Sequence, residues 1–255
     1  MYSDKINDDK IATRRGDEKV MTEKVDLANI MLRHEQPVDN REAENLTREA
    51  FWNFYEPGCN EHYLLHIMRD SPAFVSELDF VAICDGRIVG NAVYAKSFIK
   101  TDDGNECEML GLGPISVLPE YQSMGIGGRL IEHTKQIARD MGCRAILLYG
   151  DPLYYSRHGF IAAERFDIRT SDNMYAEPLQ VCELYENALS GITGCYFEDK
   201  VYEIDEAAAV EFDRTFPPKE KVEGTASQTR FSELVGSRKP GPFNRAIILE
   251  EYNPN

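Results

Sequence analysis

The stretch Gln122-Ser123-Met124-Gly125-Ile126-Gly127-Gly128 places three glycines within four positions, directly before residues whose apolar side chains recur at helical spacing. The first turn of a helix has unpaired N–H groups and a partial positive charge, so an anion sits well there. A bulky diphosphate reaches those groups only if the loop lacks Cβ atoms and accepts positive φ, which glycine allows. The same pattern also serves a tight strand–helix turn with no ligand, and on these residues alone both readings stand. A P-loop is excluded because Arg129, not Lys-Ser/Thr, follows Gly127-Gly128. A dinucleotide-binding turn is excluded as well: Leu130 stands where its third glycine would fall, and the next apolar run ends in Gly150 rather than an acidic residue.

The elements that must position this loop follow from periodicity. A strand is expected over 29–36. A helix follows from Pro37, with Ala43, Leu46, Ala50 and Phe54 on one face, and a second helix covers 60–70. Asp85-Gly86 splits 79–99 into a hairpin. The strand 106–118 carries Gly111, Gly113 and Pro114 in its interior, so it lies at an edge or is bulged. The helix over 127–141 lines Leu130, Ile131, Thr134, Ile137, Ala138 and Met141 along one face and ends at Gly142. A buried strand is expected over 143–150, a short turn or helix over 151–159 and a further strand over 160–168. Beyond 170, strands are expected over 179–189 and 195–204 and a helix capped by Asp205, with 232–236 and 245–252 left unassigned. The alternation gives a mixed α/β sheet.

Bulk composition narrows the function. With 255 residues, 42% apolar and 28% charged, the chain reads as one domain plus an extension, or two small domains. A net charge of −16 argues against nucleic acid as a partner and could draw in a cationic substrate such as an amine, although a merely solvated acidic surface is the favoured reading. No apolar run is long enough for a membrane span, and residues 1–27, a polar arm of mixed charge, carry no signal-peptide core, so a cytoplasmic location is expected. Cys59, Cys84, Cys107, Cys143, Cys182 and Cys195 form no CxxC pair and no zinc-ligand spacing, so neither a disulfide framework nor a metal site is expected.

The segment ISVLPEYQSMGIGGRLI, with Gln122, Gly125 and Gly127 at its heart, resembles the acetyl-CoA signature of the GNAT superfamily of N-acetyltransferases. Downstream, YSRHGF (155–160) is similar to the family's second landmark, Tyr-x-x-x-Gly-Phe, one helix and one strand away. GDPLYY is similar to a bacterial subgroup with Gly-Asp-Pro-x-Tyr-Tyr at this place. The resemblance covers about residues 28–170. It implies a GNAT fold: a mixed, mostly antiparallel sheet with a splayed, bulged strand, flanking helices and acetyl-CoA as co-substrate. It makes 28–170 the acetyltransferase domain, its sheet complete near 170, with 171–255 an α/β extension packed on the core.

By this resemblance the main chain of Ile115, Ser116 and Val117 meets the pantetheine arm, like an added strand. Gln122, Ser123, Met124, Gly125, Ile126, Gly127, Gly128 and Arg129 hold the diphosphate; Arg129 is equally placed as a solvated helix residue. Tyr155 is the implied general acid toward the departing thiolate, its alternative being a packing tyrosine beside Tyr154. The base is a side chain or a water: Glu106 and Glu108 both lie back from the expected acetyl position, and Glu108 is a weak candidate, better read as a strand-end charge. Asp151 caps the following turn or faces the slot, and capping is favoured; His158 is exposed or packed. The acceptor wall falls to 37–70 and 171–255, where Trp52, Phe54, Tyr55, Tyr196, Phe197 and Tyr202 either line it or pack the core. The extension either shapes that wall or a homodimer interface, or stands apart on a hinge at Pro178. Direct acetyl transfer to a primary amine of a small molecule or protein competes with a catalytically weak acyl-CoA-binding module and, remotely, with a nucleotide-binding protein.

Overall fold

The structure, a computed structural model, describes residues 29–242. The expected polar arm at 1–27 and the unassigned run 245–252 lie outside the described residues.

Strand β1 (Met31–His34) is followed by helices α1 (Asn40–Phe51) and α2 (Glu61–Met68), then by the hairpin β2 (Phe80–Cys84) and β3 (Arg87–Thr101). Asp85 and Gly86 turn that hairpin with φ of 49° and 80°, the left-handed pair that a two-residue loop requires. Strand β4 (Glu106–Val117) runs back along β3, and helix α3 (Ile126–Asp140) crosses to β5 (Ala145–Tyr149). A single turn of helix, α4 (Pro152–Tyr155), leads to β6 (Ile161–Ala162) and β7 (Ile168–Arg169). The rest comprises β8 (Met174–Ala176), β9 (Leu179–Glu183), β10 (Gly194–Phe197), α5 (Glu206–Asp213), α6 (Ala226–Gly236) and β11 (Arg238–Pro240).

The main sheet runs β1-β2-β3-β4-β5-β9-β6, with β10 on the far half of β3 and beside β7, and β8 pairs with β11 separately. Within the main sheet, β4–β5 and β7–β10 are parallel and the other pairs antiparallel. The expected strand over 160–168 is instead two two-residue strands around the turn 163–166, because Asp167 takes a left-handed φ of 55° and breaks the ladder. The sheet also does not end near 170. Strand β9 lies between β5 and β6, so residues past that point supply interior strands.

Apolar cores cover both faces of the sheet. On one face α3 buries Leu130, Ile131 and Ala138 against Ile88 and Ala92 of β3, and the Thr134 hydroxyl meets the Tyr94 hydroxyl at 2.6 Å. Ile137 is only partly buried and Met141 is exposed, so the apolar stripe of α3 is narrower than its sequence reads. On the other face α1 and α2 bury Ala43, Leu65 and Met68 against Val93 and Ala95. Helix α5, capped by Asp205 as its sequence predicts, binds to both: Asp213 pairs with Arg48 of α1 at 2.5 Å, and the Phe212 ring stacks on His66 of α2 at 4.4 Å.

Candidate active site

The site is made where β4 and β5 part. Their pairing consists of Leu110 with Ile146 and Gly111 with Leu147; beyond that, β4 continues along β3 while β5 diverges. The divergence starts at a bulge. Between Ala92 and Tyr94 of β3 there are two steps, but three on β4, from Ile115 to Leu112. The extra residue falls on Gly113-Pro114, and a proline there takes no hydrogen bond away from the ladder. The Tyr202 hydroxyl donates to the Gly113 carbonyl at 3.0 Å and pins the bulge from the side of the extension.

A cavity of about 1020 Å³ fills the opening. Ile115, Ser116 and Val117 form one wall, and Gln122, Ser123, Gly125, Ile126, Gly127 and Gly128 bound one end. Met124 and Arg129 are not among its lining residues. The Ser116 hydroxyl points away, into the core, where it donates to Thr47 at 3.2 Å, which leaves its main chain for the cavity. At the loop, Gly125 has a φ of 86°, a conformation that a side chain would strain, and hands over to the first turn of α3.

Helix α4 and the turn after it bring three polar side chains to that helix end. A Cβ on Gly127 would collide with the Tyr154 hydroxyl, and one on Gly128 would stand 2.6 Å from the His158 ring. Arg157 completes the group in the cavity lining. Residues 154, 157 and 158 share one helical face at i, i+3 and i+4 spacing; that spacing was readable in YYSRH, although Tyr154 and Arg157 are not found by the glycine signature. His158 is packed against Tyr154 at 5.1 Å, and burial, partly offset by Glu132, holds its pKa below the ordinary value.

Tyr155 lies on the opposite side of α4, inside the slot. Its ring rests on Gly150, where no Cβ would fit, and meets Tyr154 and Phe160 edge to face. Burial, reinforced by Tyr55, Tyr154 and Tyr94, pushes its phenol well above the ordinary range, so it stays protonated at any physiological pH. Asp151 does both things expected of it: it accepts from the Leu153 N–H at 2.9 Å as the cap of α4, and it lines the cavity, where Arg230 of α6 grips it at 3.0 and 3.3 Å. That grip holds the Asp151 carboxyl below its usual range.

The remaining wall comes from both ends of the chain. Phe51, Phe54 and Tyr55 at the end of α1 meet Phe231, Leu234 and Val235 of α6, with Tyr55 and Phe231 at 4.7 Å. Of the six aromatics named from sequence, Phe54, Tyr55 and Tyr202 line the cavity. Trp52 stacks on Arg48 at 4.3 Å, Tyr196 is buried in the core and Phe197 lies flat on Phe98 at 5.2 Å. Glu106 and Glu108 lie on a separate small depression. Two carboxylates that sequence reading passed over, Glu61 and Glu198, line the main cavity, and burial pushes each up to about 7. Each follows or opens an element among other polar residues, Glu61 between Asn60 and His62 and Glu198 before Asp199 and Lys200, a pattern shared with ordinary surface positions.

Residues 76–162 match the family model of the acetyltransferase (GNAT) domain. Over 83 residues the chain is 37% identical to the uncharacterized N-acetyltransferase YjhQ of Escherichia coli, a match that takes in 32% of this chain and 45% of YjhQ, less than half that relative's length. Over 166 residues it is 28% identical to the uncharacterized N-acetyltransferase YhbS of Escherichia coli, 65% of this chain and 93% of YhbS. The crystal structure of YhbS in complex with CoA superposes with a TM-score of 0.62, covering 69% of this chain and 93% of that one. The family-model match, the N-acetyltransferase relatives and the CoA-bound GNAT structure together mark residues 76–162 as a GNAT acetyltransferase domain. A GNAT acetyltransferase from Brucella melitensis in complex with acetyl-CoA, 28% identical, superposes with a TM-score of 0.54 over 68% of this chain and 97% of that one. The GNAT fold accounts for the mixed, mostly antiparallel sheet and its flanking helices. Among the described residues no helix is long and apolar enough to cross a membrane, no His/Cys/Asp/Glu group is set to hold a metal, and all six cysteines are free.

Proposed function

We propose that this protein transfers the acetyl group of acetyl-CoA directly to a primary amine within a ternary complex. The observation that carries the reading is the slot: a bulged β4 parting from β5, a main-chain edge at 115–117 that β5 does not pair, and a helix start suited to an anion at its end. The fit to CoA is supported by the chemistry of that end. The N–H groups at the start of α3, the Tyr154 hydroxyl and the Arg157 guanidinium converge on one place, a donor set suited to a diphosphate and otherwise out of keeping with a protein of net charge −16. The CoA and acetyl-CoA present in the YhbS and Brucella structures support the same ligand.

When bound, acetyl-CoA supplies the thioester. The chain's own residues orient it and manage protons. Main-chain groups of Ile115–Val117 align the pantetheine arm along β4, and the loop 122–128 fixes its anionic end. Tyr155, held protonated by burial, presents its hydroxyl to the sulfur position; the same dry surroundings raise the thiol's pKa, which keeps transfer from phenol to thiolate near balance. The wall formed by the ends of α1 and α6 receives the acceptor.

The test is a panel of primary amines, including small arylalkylamines and lysine-containing peptides, incubated with acetyl-CoA while released thiol is measured. Amine-dependent thiol release is expected. Tight acetyl-CoA binding with thiol release no faster than in amine-free controls would favour a binding module instead.

A further inference from the structure

We infer that Glu198 receives the ammonium group of the acceptor and takes its proton, so that the acceptor is a cationic primary amine whose neighbouring atoms are apolar. This rests on the acetyltransferase reading above and fills its open step, the making of a neutral nucleophile.

Glu198 directly follows β10 and lines the cavity. Among the described residues its carboxylate makes no hydrogen bond and no ion pair, and burial, with nothing to offset it, brings the group to about 7. An unpaired carboxylate in such a place is costly unless a ligand supplies the counter-charge. The groups facing it are phenols: Tyr149 from β5, Tyr196 from β10 and Tyr202 from the turn that follows. Its neighbour Asp199 is turned away as a cap, accepting from the Val201 N–H at 2.9 Å. A buried carboxylate among phenols suits an ammonium and offers nothing to an anion.

Position separates Glu198 from the other carboxylates of the cavity. Tyr202, beside Glu198, donates to the Gly113 carbonyl, which ties Glu198 to the bulge where β4 and β5 part and the slot begins. Asp151 is already held by Arg230 and the Leu153 N–H. Glu61 opens α2 near Tyr55, and it accepts from the Asn60 N–H at 3.1 Å.

The step balances as follows. The ammonium gives one proton to a Glu198 carboxylate oxygen. The freed nitrogen lone pair forms the C–N bond at the thioester carbonyl carbon, and the C–S bond breaks with its electron pair on sulfur. A second proton leaves the nitrogen for Tyr155 as the Tyr155 hydroxyl proton passes to sulfur. Glu198 then releases its proton to water, so ammonium and thioester yield amide, thiol and one proton.

The experiment uses the full chain as wild type, Glu198→Gln and Glu61→Gln. Acceptors are arylalkylamines and weakly basic aromatic amines that are already neutral at assay pH. Glu198→Gln is expected to lower kcat/KM for arylalkylamines about 10²-fold at pH 7 and to stay within about threefold of wild type for the weakly basic amines. The wild-type kcat/KM should rise with pH through about 7 as Glu198 loses its proton, and this limb should vanish in Glu198→Gln and persist in Glu61→Gln. Calorimetry gives a readout apart from turnover: CoA affinity unchanged in Glu198→Gln, and arylalkylamine binding to the CoA complex weakened about tenfold. Equal losses for both amine classes, or an unaltered pH limb, would overturn the role of Glu198 while leaving the acetyltransferase reading in place. A wild type that turns over no amine of either class overturns that reading, and the role of Glu198 with it.

Discussion

At the scale of single residues, the site depends on side chains that fill space left by glycines. Tyr155 occupies the space over Gly150, and Tyr154 the space over Gly127. Each tyrosine therefore has a fixed place, and a Cβ at either glycine would displace the ring before it met a ligand. Tyr155→Phe keeps the ring and its edge-to-face contacts and removes only the hydroxyl. It is expected to bind CoA as the wild type does and to lower kcat about 10²-fold, measured by thiol release under conditions where chemistry limits the rate. Because burial holds the phenol protonated, no titration of Tyr155 should appear in the wild-type pH profile below pH 10. An unchanged kcat would leave Tyr155 a packing residue. The landmark Tyr-x-x-x-Gly-Phe made Tyr155 legible in the sequence, because its neighbours within the motif are local. Glu198 was not legible: its significance comes from Tyr149, about 50 residues earlier, and from the absence of a counter-ion among the described residues, neither of which a linear pattern shows.

At the scale of elements, the slot was readable and its cover was not. Gly111, Gly113 and Pro114 announced an irregular strand, and the bulge falls on Gly113-Pro114. Helix α6, by contrast, has a capping box at Thr225 and Gln228 but only a short apolar stretch, and its partners are the distant residues Tyr55 and Asp151. The two-residue strands β6 and β7 were read as one because nothing local marks Asp167 as a break. Phe231→Ala removes the α6 side of the aromatic wall. It is expected to raise KM for an arylalkylamine about tenfold with CoA affinity unchanged, by steady-state kinetics and calorimetry. A second element-scale prediction concerns β1, α1 and β2, which meet around three buried carboxylates. Arg69 binds Glu35 at 2.5 Å and Glu44 at 2.8 Å, while Asp79 shares a hydrogen bond with Glu35. Desolvation, with the Glu35 charge beside it, pushes Asp79 up to about 8. The folded state therefore holds a proton that the unfolded state has already released above pH ~4, so stability from this group is full in acid and is lost as pH rises from there to about 8. Asp79→Asn cannot ionise, and its unfolding free energy should exceed that of the wild type by about 2 kcal/mol at pH 9, with the difference shrinking toward pH 5. Chemical denaturation at the two pH values checks the sign; a difference that grows toward acid would contradict it.

At the scale of the whole molecule, strongly negative overall charge goes together with the slot proposed to hold CoA. A field of this sign draws cationic amines toward the protein and opposes CoA, so the start of α3, with Tyr154 and Arg157, must recover locally what the global charge costs. The chain beyond residue 170 belongs to this arrangement. It supplies β9 between β5 and β6, β10 beside β3, the Tyr202 contact to the bulge and the α6 wall. Its apolar runs were visible in the sequence, but their insertion between earlier strands was not, since strand order is set by long-range pairing rather than local pattern. The central claim is that acetyl-CoA lies along the parted edge of β4 with its diphosphate at the start of α3. Hydrogen–deuterium exchange of the wild-type protein, with and without saturating acetyl-CoA, tests it without any substitution. Slower exchange is expected in peptides covering 115–117 and 122–129, whose main-chain N–H groups would gain partners on binding. Saturable binding with no protection in either peptide would contradict the account.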